Sequence, residues 1–290
     1  MTTLSIRHRT TYRYGGPVSF QPHRLMLRPR EGRDLRLIAS DLTLTPTATL
    51  TWAQDVFGNA VAMASFQAAA DTLVIEAAAT LALDAAPWPV FDIAASAQTY
   101  PFLYPVDDWT DLGALALPQY DDPAGRLWGW ARGFVHRQGT DTLSLLKDLN
   151  AGVAAQIRYQ SREVEGTQSP IQTLDRGWGS CRDMAVLFIE AARCLGFGAR
   201  IVSGYLYNPQ DDAGLAAFAG TTHAWAEVYL PGAGWITFDP THQSVGGANL
   251  IPIAVARDIR QVTPVAGGFV GAGNAFLGLW VEVSVTSTGA

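Results

Sequence analysis

Gly177-Trp178-Gly179-Ser180-Cys181-Arg182-Asp183-Met184-Ala185-Val186-Leu187-Phe188-Ile189 predicts a helix with a thiol in its first turn. Gly177 and Gly179 break any preceding element. Ser180 with Asp183 three residues on is capping-box spacing, with Asp in place of Glu or Gln. An apolar run from Met184 to Ile189 follows, and Gly196 supplies a stop. The expected helix is Cys181–Leu195, with Ser180 as N-cap and Cys181 as first residue. Unpaired N–H groups and the positive end of the helix dipole stabilise an anion at such a position. A cysteine at a helix N-terminus beside a histidine can titrate as low as ~3.5, against ~8.5 for a free one. The same N–H groups can donate to an oxyanion. A lone cysteine is more often a small buried hydrophobe. Cys194 takes that reading, near the end of the same helix without polar company.

Downstream lies Thr222-His223-Ala224-Trp225-Ala226-Glu227-Val228-Tyr229-Leu230, an alternating strand. Pro231-Gly232-Ala233-Gly234 is a turn, and Trp235-Ile236-Thr237-Phe238-Asp239-Pro240-Thr241 returns. His223 begins one arm of this hairpin and Asp239 ends the other, so both lie at its open end. A plain four-residue loop would put them on opposite faces, so an odd loop or a bulge is expected. Singly, such a His is more often structural and such an Asp a turn former. Together, in the order Cys…His…Asp, they read as a triad. Asp239 would hold the imidazole tautomer, His223 would take the thiol proton and Cys181 would attack a carbonyl. Trp225 falls on the His223 face and would shield the ring. Asp183 reads as a cap, not a second acid. Odd spacing from Asp239 would send His242 to the other face. Trp178 is expected at a wall of the thiol pocket.

The first hundred residues read as β. Ile6 to Tyr14 alternate with a period of two, Gly15-Gly16-Pro17 reads as a turn, and strands are expected at 23–30, 35–44, 47–54, 60–67 and 71–83. Near-regular spacing with short turns suggests an antiparallel sandwich, although the Ala-rich tracts favour helix. From about Asp107 helices are expected at 127–138 and 142–157, the second capped by Thr140-Asp141. A loop at 160–170, strands at 199–207, 223–230 and 235–239, and a final strand at 277–285 complete the pattern.

At 290 residues and 48% hydrophobic, the chain is globular rather than disordered and long enough for two domains, taken as 1–100 and 101–290. A net charge of −6, from 20 basic and 26 acidic residues, argues against nucleic acid or an anionic membrane as partner. Two cysteines 13 residues apart are too few for a disulfide framework or a four-ligand zinc site. On one helix they stand ~20 Å apart, beyond the ~7 Å limit for a bridge, so both are expected as free thiols. Charges where a signal peptide needs an apolar core, and no 18-residue apolar run, make the cytoplasm the default expectation.

The stretch 177–207 (GWGSCRDMAVLFIEAARCLGFGARIVSGYLY), followed by THAWAEVYLPGAGWITFDPTH, resembles the bacterial transglutaminase-like superfamily. LSIRHRTTYRYGGPVSFQPHRLMLRPR with DVFGNAVAMASF resembles the β domain preceding the core in that family, and LIPIAVARDIRQVTPVAGGFVGAG the segment following it. The resemblance implies an α+β fold: a papain-like transglutaminase core, its cysteine-bearing helix packed on an antiparallel sheet, preceded by an N-terminal antiparallel β-sandwich. It places a Cys–His–Asp triad on Cys181, His223 and Asp239. Tyr159 matches the aromatic standing ahead of the cysteine, as an oxyanion or pocket donor or as ordinary packing. Ala256-Arg257-Asp258-Ile259 departs from the family's Gly-Arg-Asp-Tyr, which leaves Arg257-Asp258 as a structural ion pair with the cavity wall. The expected activity is thiol-dependent hydrolysis of a peptide or protein amide. The alternatives are transfer to an amine and a non-catalytic protein-binding module. No cofactor or metal is expected, a homo-oligomer is possible, and the 85–123 segment is a candidate cover for the thiol.

Overall fold

A computed structural model of the chain describes residues 1–136, 139–162, 166–208 and 222–287. It is an α+β protein built of a β-sandwich and a helix-on-sheet core. The alternation at the N-terminus places Leu4, Ile6, His8 and Thr10 inward on β1 (Thr2–Phe20). Gly15-Gly16-Pro17 is not a turn. β1 runs through it with a register shift between Arg13 and Val18, because the strand pairs on both sides and absorbs the extra residues as a bulge. β2 (His23–Leu25) is shorter than expected; β3 (Leu35–Thr45), β4 (Ala48–Gln54), β5 (Ala60–Phe66) and β6 (Ala70–Leu83) fall where expected. The Ala-rich β6 is a strand despite its helix propensity. It lies between β1 and β3 and pairs with both, so tertiary pairing overrides local preference.

Among the smaller core elements are β7 (Thr99–Tyr100), which pairs with β8 (Thr140–Asp141), and α1 (Val106–Leu112). α2 (Arg126–Arg132) stops at Gly133, short of the expected 127–138 span, of which 137 and 138 lie outside the described residues. α3 (Thr142–Gln156) is capped by Asp141, whose side chain accepts from Ser144 N–H. α4 (Pro170–Arg176), not anticipated, starts at a Ser169/Gln172 capping box with Pro in the first turn. α5 (Cys181–Cys194) lies against the sheet formed by β11 (Ala199–Leu206), β12 (Thr222–Leu230), β13 (Gly234–Asp239), β14 (Ser244–Val245) and β15 (Leu250–Ala256), in the antiparallel order β14-β13-β12-β11-β15. Met184, Leu187 and Phe188 of α5 share one buried cluster with Leu145 and Leu149 of α3, Ala226 and Val228 of β12, and Phe238 of β13. Each such large side chain contributes about 1.5–3 kcal/mol by leaving water.

The tail does not stay with the core. β16 (Val265–Ala266) pairs with β2, β17 (Phe269–Val270) with the end of β1, and β18 (Phe276–Ser287) with β1 along most of its length. The β domain is therefore closed by the C-terminus, where a cut at residue 100 would have assigned these strands to the core. A seam joins the two units: Leu4, Ile6, Leu81, Val283 and Val285 pack with Tyr205, Tyr207, Ile251 and Ile253 of the core sheet. Among the described residues, no helix is long and apolar enough to cross a membrane.

Candidate active site

The thiol is placed by the cap in front of it. Asp183, fully buried, accepts at Oδ2 from Ser180 N–H and Ser180 Oγ–H, both at 2.8 Å. Its Oδ1 accepts from Gln168 N–H at 2.7 Å and from Arg162 Nη2 at 2.9 Å. Every lone pair is engaged in holding chain, so Asp183 is a cap as expected. Gly179 is required here, since a Cβ would stand 2.8 Å from the Asp183 Cβ. Cys181 follows as the first helical residue, partly exposed, and both cysteines are free thiols. Burial pushes the Cys194 thiol up to about 11, in keeping with an inert packing residue.

Tyr159 reaches the same neighbourhood through a two-residue parallel ladder. β9 (Arg158–Tyr159) pairs with β10 (Trp178–Gly179), Tyr159 opposite Gly179, and Gln160 N–H donates to Gly179 O at 2.9 Å. The phenol is half exposed, and burial raises its pKa, with the Cys181 charge adding to the effect and a hydrogen bond to Ser161 opposing it. Trp178 packs beside the Arg176 guanidinium, which sits 5.6 Å from its ring.

The hairpin has the odd loop that the parity argument required. Leu230 faces Gly234 across Pro231, Gly232 and Ala233, and Ala226 faces Phe238. His223 and Asp239 thereby share a face, and His223 Nε2 meets Asp239 Oδ2 at 2.8 Å. Cys181 also acts on the His223 ring, raising its basicity. With Nε2 engaged, Nδ1 is the nitrogen left for the sulfur. Burial disfavours the charged ring, but the hydrogen bond to Asp239, the interaction with Cys181 and their negative charges outweigh it, raising His223 to about 9. Asp239 is buried too, yet the bonds and positive charge of His223 and His242 hold it well below the usual carboxylate range. Trp225 lies as expected on the imidazole face, ring centroids 6.0 Å apart. Its indole has room because Gly204, opposite His223 on β11, has no Cβ; one built there would stand 2.6 Å from the Trp225 ring and 2.1 Å from Ile251 O.

His242 departs from expectation. Strand parity ends at Asp239-Pro240, and the following turn brings His242 back, so that its Nδ1 lies 2.8 Å from the same Asp239 Oδ2. The Asp239 Oδ1 accepts from Thr241 N–H at 3.0 Å. The strand-breaking Pro240 was the available signal that face counting stops there. Tyr159, Leu206, His223, Thr241 and His242 line a cavity of about 220 Å³. Asp258 pairs not with Arg257 but with Arg260, at 2.9 Å, while capping a short 3-10 turn; the Arg257 carbonyl accepts from Arg193. The 85–123 segment does not line the cavity among the described residues. Tyr104 instead bonds Tyr229 O, six residues along β12 from His223 and so ~20 Å away.

Residues 4–82 match the bacterial transglutaminase-like N-terminal region and residues 129–240 the transglutaminase-like superfamily. The chain belongs to the bacterial transglutaminase-like superfamily. Tyr159, Cys181, His223 and Asp239 all fall inside the second match. An uncharacterized protein of Mycobacterium leprae, ML0607, is 32% identical over 116 residues, 40% of this chain and 41% of that protein. The protein-glutamine gamma-glutamyltransferase of Pseudomonas aeruginosa is 36% identical over 142 residues, 48% of this chain and 21% of that protein. This transglutaminase-like chain thus spans less than half the length of either relative. Its fold is that of a crystallised candidate cysteine protease from Cytophaga hutchinsonii, with a TM-score of 0.75 at 20% identity, covering 100% of this chain and 91% of the other. That likeness of fold spans the β domain as well as the core.

Proposed function

We propose that this transglutaminase-like chain is a thiol-dependent amide hydrolase working on a peptide or protein through an acyl-enzyme. The observation that carries the reading is a single imidazole held by Asp239 at Nε2 and raised in basicity by Cys181, the first residue of a capped helix. Nδ1 of His223 takes the Sγ proton, and sulfur attacks the carbonyl carbon. The oxyanion faces N–H groups at the start of α5, with the Tyr159 phenol as a further donor. The imidazolium returns its proton to the leaving amine as the C–N bond breaks. Water then gives a proton to His223, attacks the thioester and releases the acid with the thiol restored.

Hydrolysis is favoured because half-exposed Tyr159 and His242, with Thr241, present polar groups around the cavity at His223, where water is readily held. The match to the Pseudomonas glutamyltransferase favours a second reading, in which an amine takes the place of water. Profiling on glutamine-containing peptides with and without an added amine separates them. Backbone cleavage marks a peptidase, ammonia release alone an amidase, and amine conjugates a transferase. A thiol-directed probe at neutral pH should label Cys181 fast, and His223→Ala should slow that labelling by at least about a hundredfold. Labelling no faster than a free thiol would leave a protein-binding module.

A further inference from the structure

We propose that His223, Asp239 and His242 form a site for a divalent cation of the zinc class, and that its occupancy switches the thiol off. The metal-binding half stands on geometry alone; the switching half rests on the reaction proposed above.

The proposed reaction needs one histidine on Asp239, and the structure supplies two. His223 Nε2 and His242 Nδ1 both approach the same carboxylate oxygen at 2.8 Å, with the rings edge to face at 5.1 Å between centroids. All three candidate ligand atoms lie within 4.8 Å of one another. Tetrahedral zinc with bonds of ~2.1 Å wants its ligands ~3.4 Å apart, so small side-chain shifts admit the ion. Two imidazoles and one carboxylate are the donor set of zinc sites that keep a fourth position for water. Thr241 N–H holds the other carboxylate oxygen and so orients the ligand. The half-exposed His242 and the cavity provide a route in. Thr241, which also lines the cavity, carries a buried hydroxyl without a partner among the described residues.

Ligation has a definite proton balance. His223 moves its single proton from Nε2, where it is now donated to Asp239, to Nδ1. His242 moves its own proton from Nδ1 to the outward Nε2. The metal-held His223 ring then has no free lone pair for a neutral thiol, and the general base is lost.

The test is calorimetric titration of the full chain with zinc chloride, on the unaltered protein, Cys181→Ala, His242→Ala and His242→Asn. The asparagine keeps a donor for Asp239 without an imidazole, which guards against a folding defect in the alanine variant. The expected result is one zinc per chain in the unaltered protein, the same affinity in Cys181→Ala, and at least about tenfold weaker binding in both His242 variants. Zinc should also slow Cys181 labelling in the unaltered protein, reversibly with a chelator. Loss of binding in Cys181→Ala would put the metal on the sulfur and overturn the site, as would unchanged affinity in the His242 variants or no heat at about 100 µM zinc. Zinc binding together with an unreactive thiol would instead sink the hydrolase reading and leave the metal site standing.

Discussion

Asp239 is 1% exposed, bonded to two imidazoles through one oxygen and to a backbone N–H through the other. Its charge opposes the burial that would otherwise keep His223 neutral. Asp239→Asn preserves shape and removes that charge, so His223 should fall from about 9 toward or below its ordinary 6.5. The alkaline limb of the pH–activity profile should then move acidward, and neutral-pH turnover should drop by about 10²–10⁴. Stability follows the same sign. A raised histidine contributes fully below pH 6.5 and loses that contribution as pH rises through about 9; the variant should show a smaller loss across that window. An unmoved alkaline limb would detach Asp239 from the imidazole. The pairing of His223 with Asp239 was legible because strand parity is a rule of geometry. His242 was not, because parity says nothing beyond the proline that ends the strand.

Within α5, position depends on the first turn. Asp183→Ala would leave Ser180 N–H, Gln168 N–H and the partly buried Arg162 guanidinium without their acceptor. A loss of about 3–5 kcal/mol in urea unfolding is expected from breaking such a buried pair. Asp183→Asn, which keeps an acceptor oxygen, should lose less. Thiol labelling should slow in both, because Cys181 stands one residue past the loosened cap; labelling at the original rate in Asp183→Ala would show that the cap is not what positions the sulfur. α5 was readable because cap, apolar run and glycine stop all agree within one stretch. Gly15-Gly16-Pro17 misled because its local chemistry is that of a turn, whereas β1 is held straight by β6 and β18, partners distant in sequence. α4 was obscured by its own brevity, one capping box and two turns without a long apolar period.

At the scale of the molecule, the closure of the β domain by β18 was hidden for a related reason. A strand announces its alternation but not its partner. What welds the domain to the core is an apolar seam, with a buried histidine bonded to one of its tyrosines. His8 on β1, 1% exposed, pairs at Nδ1 with the Tyr205 hydroxyl of β11 at 3.0 Å and at Nε2 with Thr10 Oγ1 at 2.8 Å. Burial lowers it from 6.5 to about 4. Between those values the unfolded chain binds a proton that the folded one refuses, so stability is complete above pH 6.5 and declines as pH falls toward 4. At about 1.4 kcal/mol per pH unit, the decline reaches roughly 3 kcal/mol. Carboxylates also titrate in this range, so the informative quantity is a difference. His8→Phe with Tyr205→Phe removes the titrating ring without stranding the phenol. Urea midpoints at several pH values between 7 and 4.5 should fall less steeply in the double variant than in the unaltered chain. Parallel slopes would mean that the ring already takes its proton in the folded state, and the seam would then owe nothing of its acid sensitivity to His8.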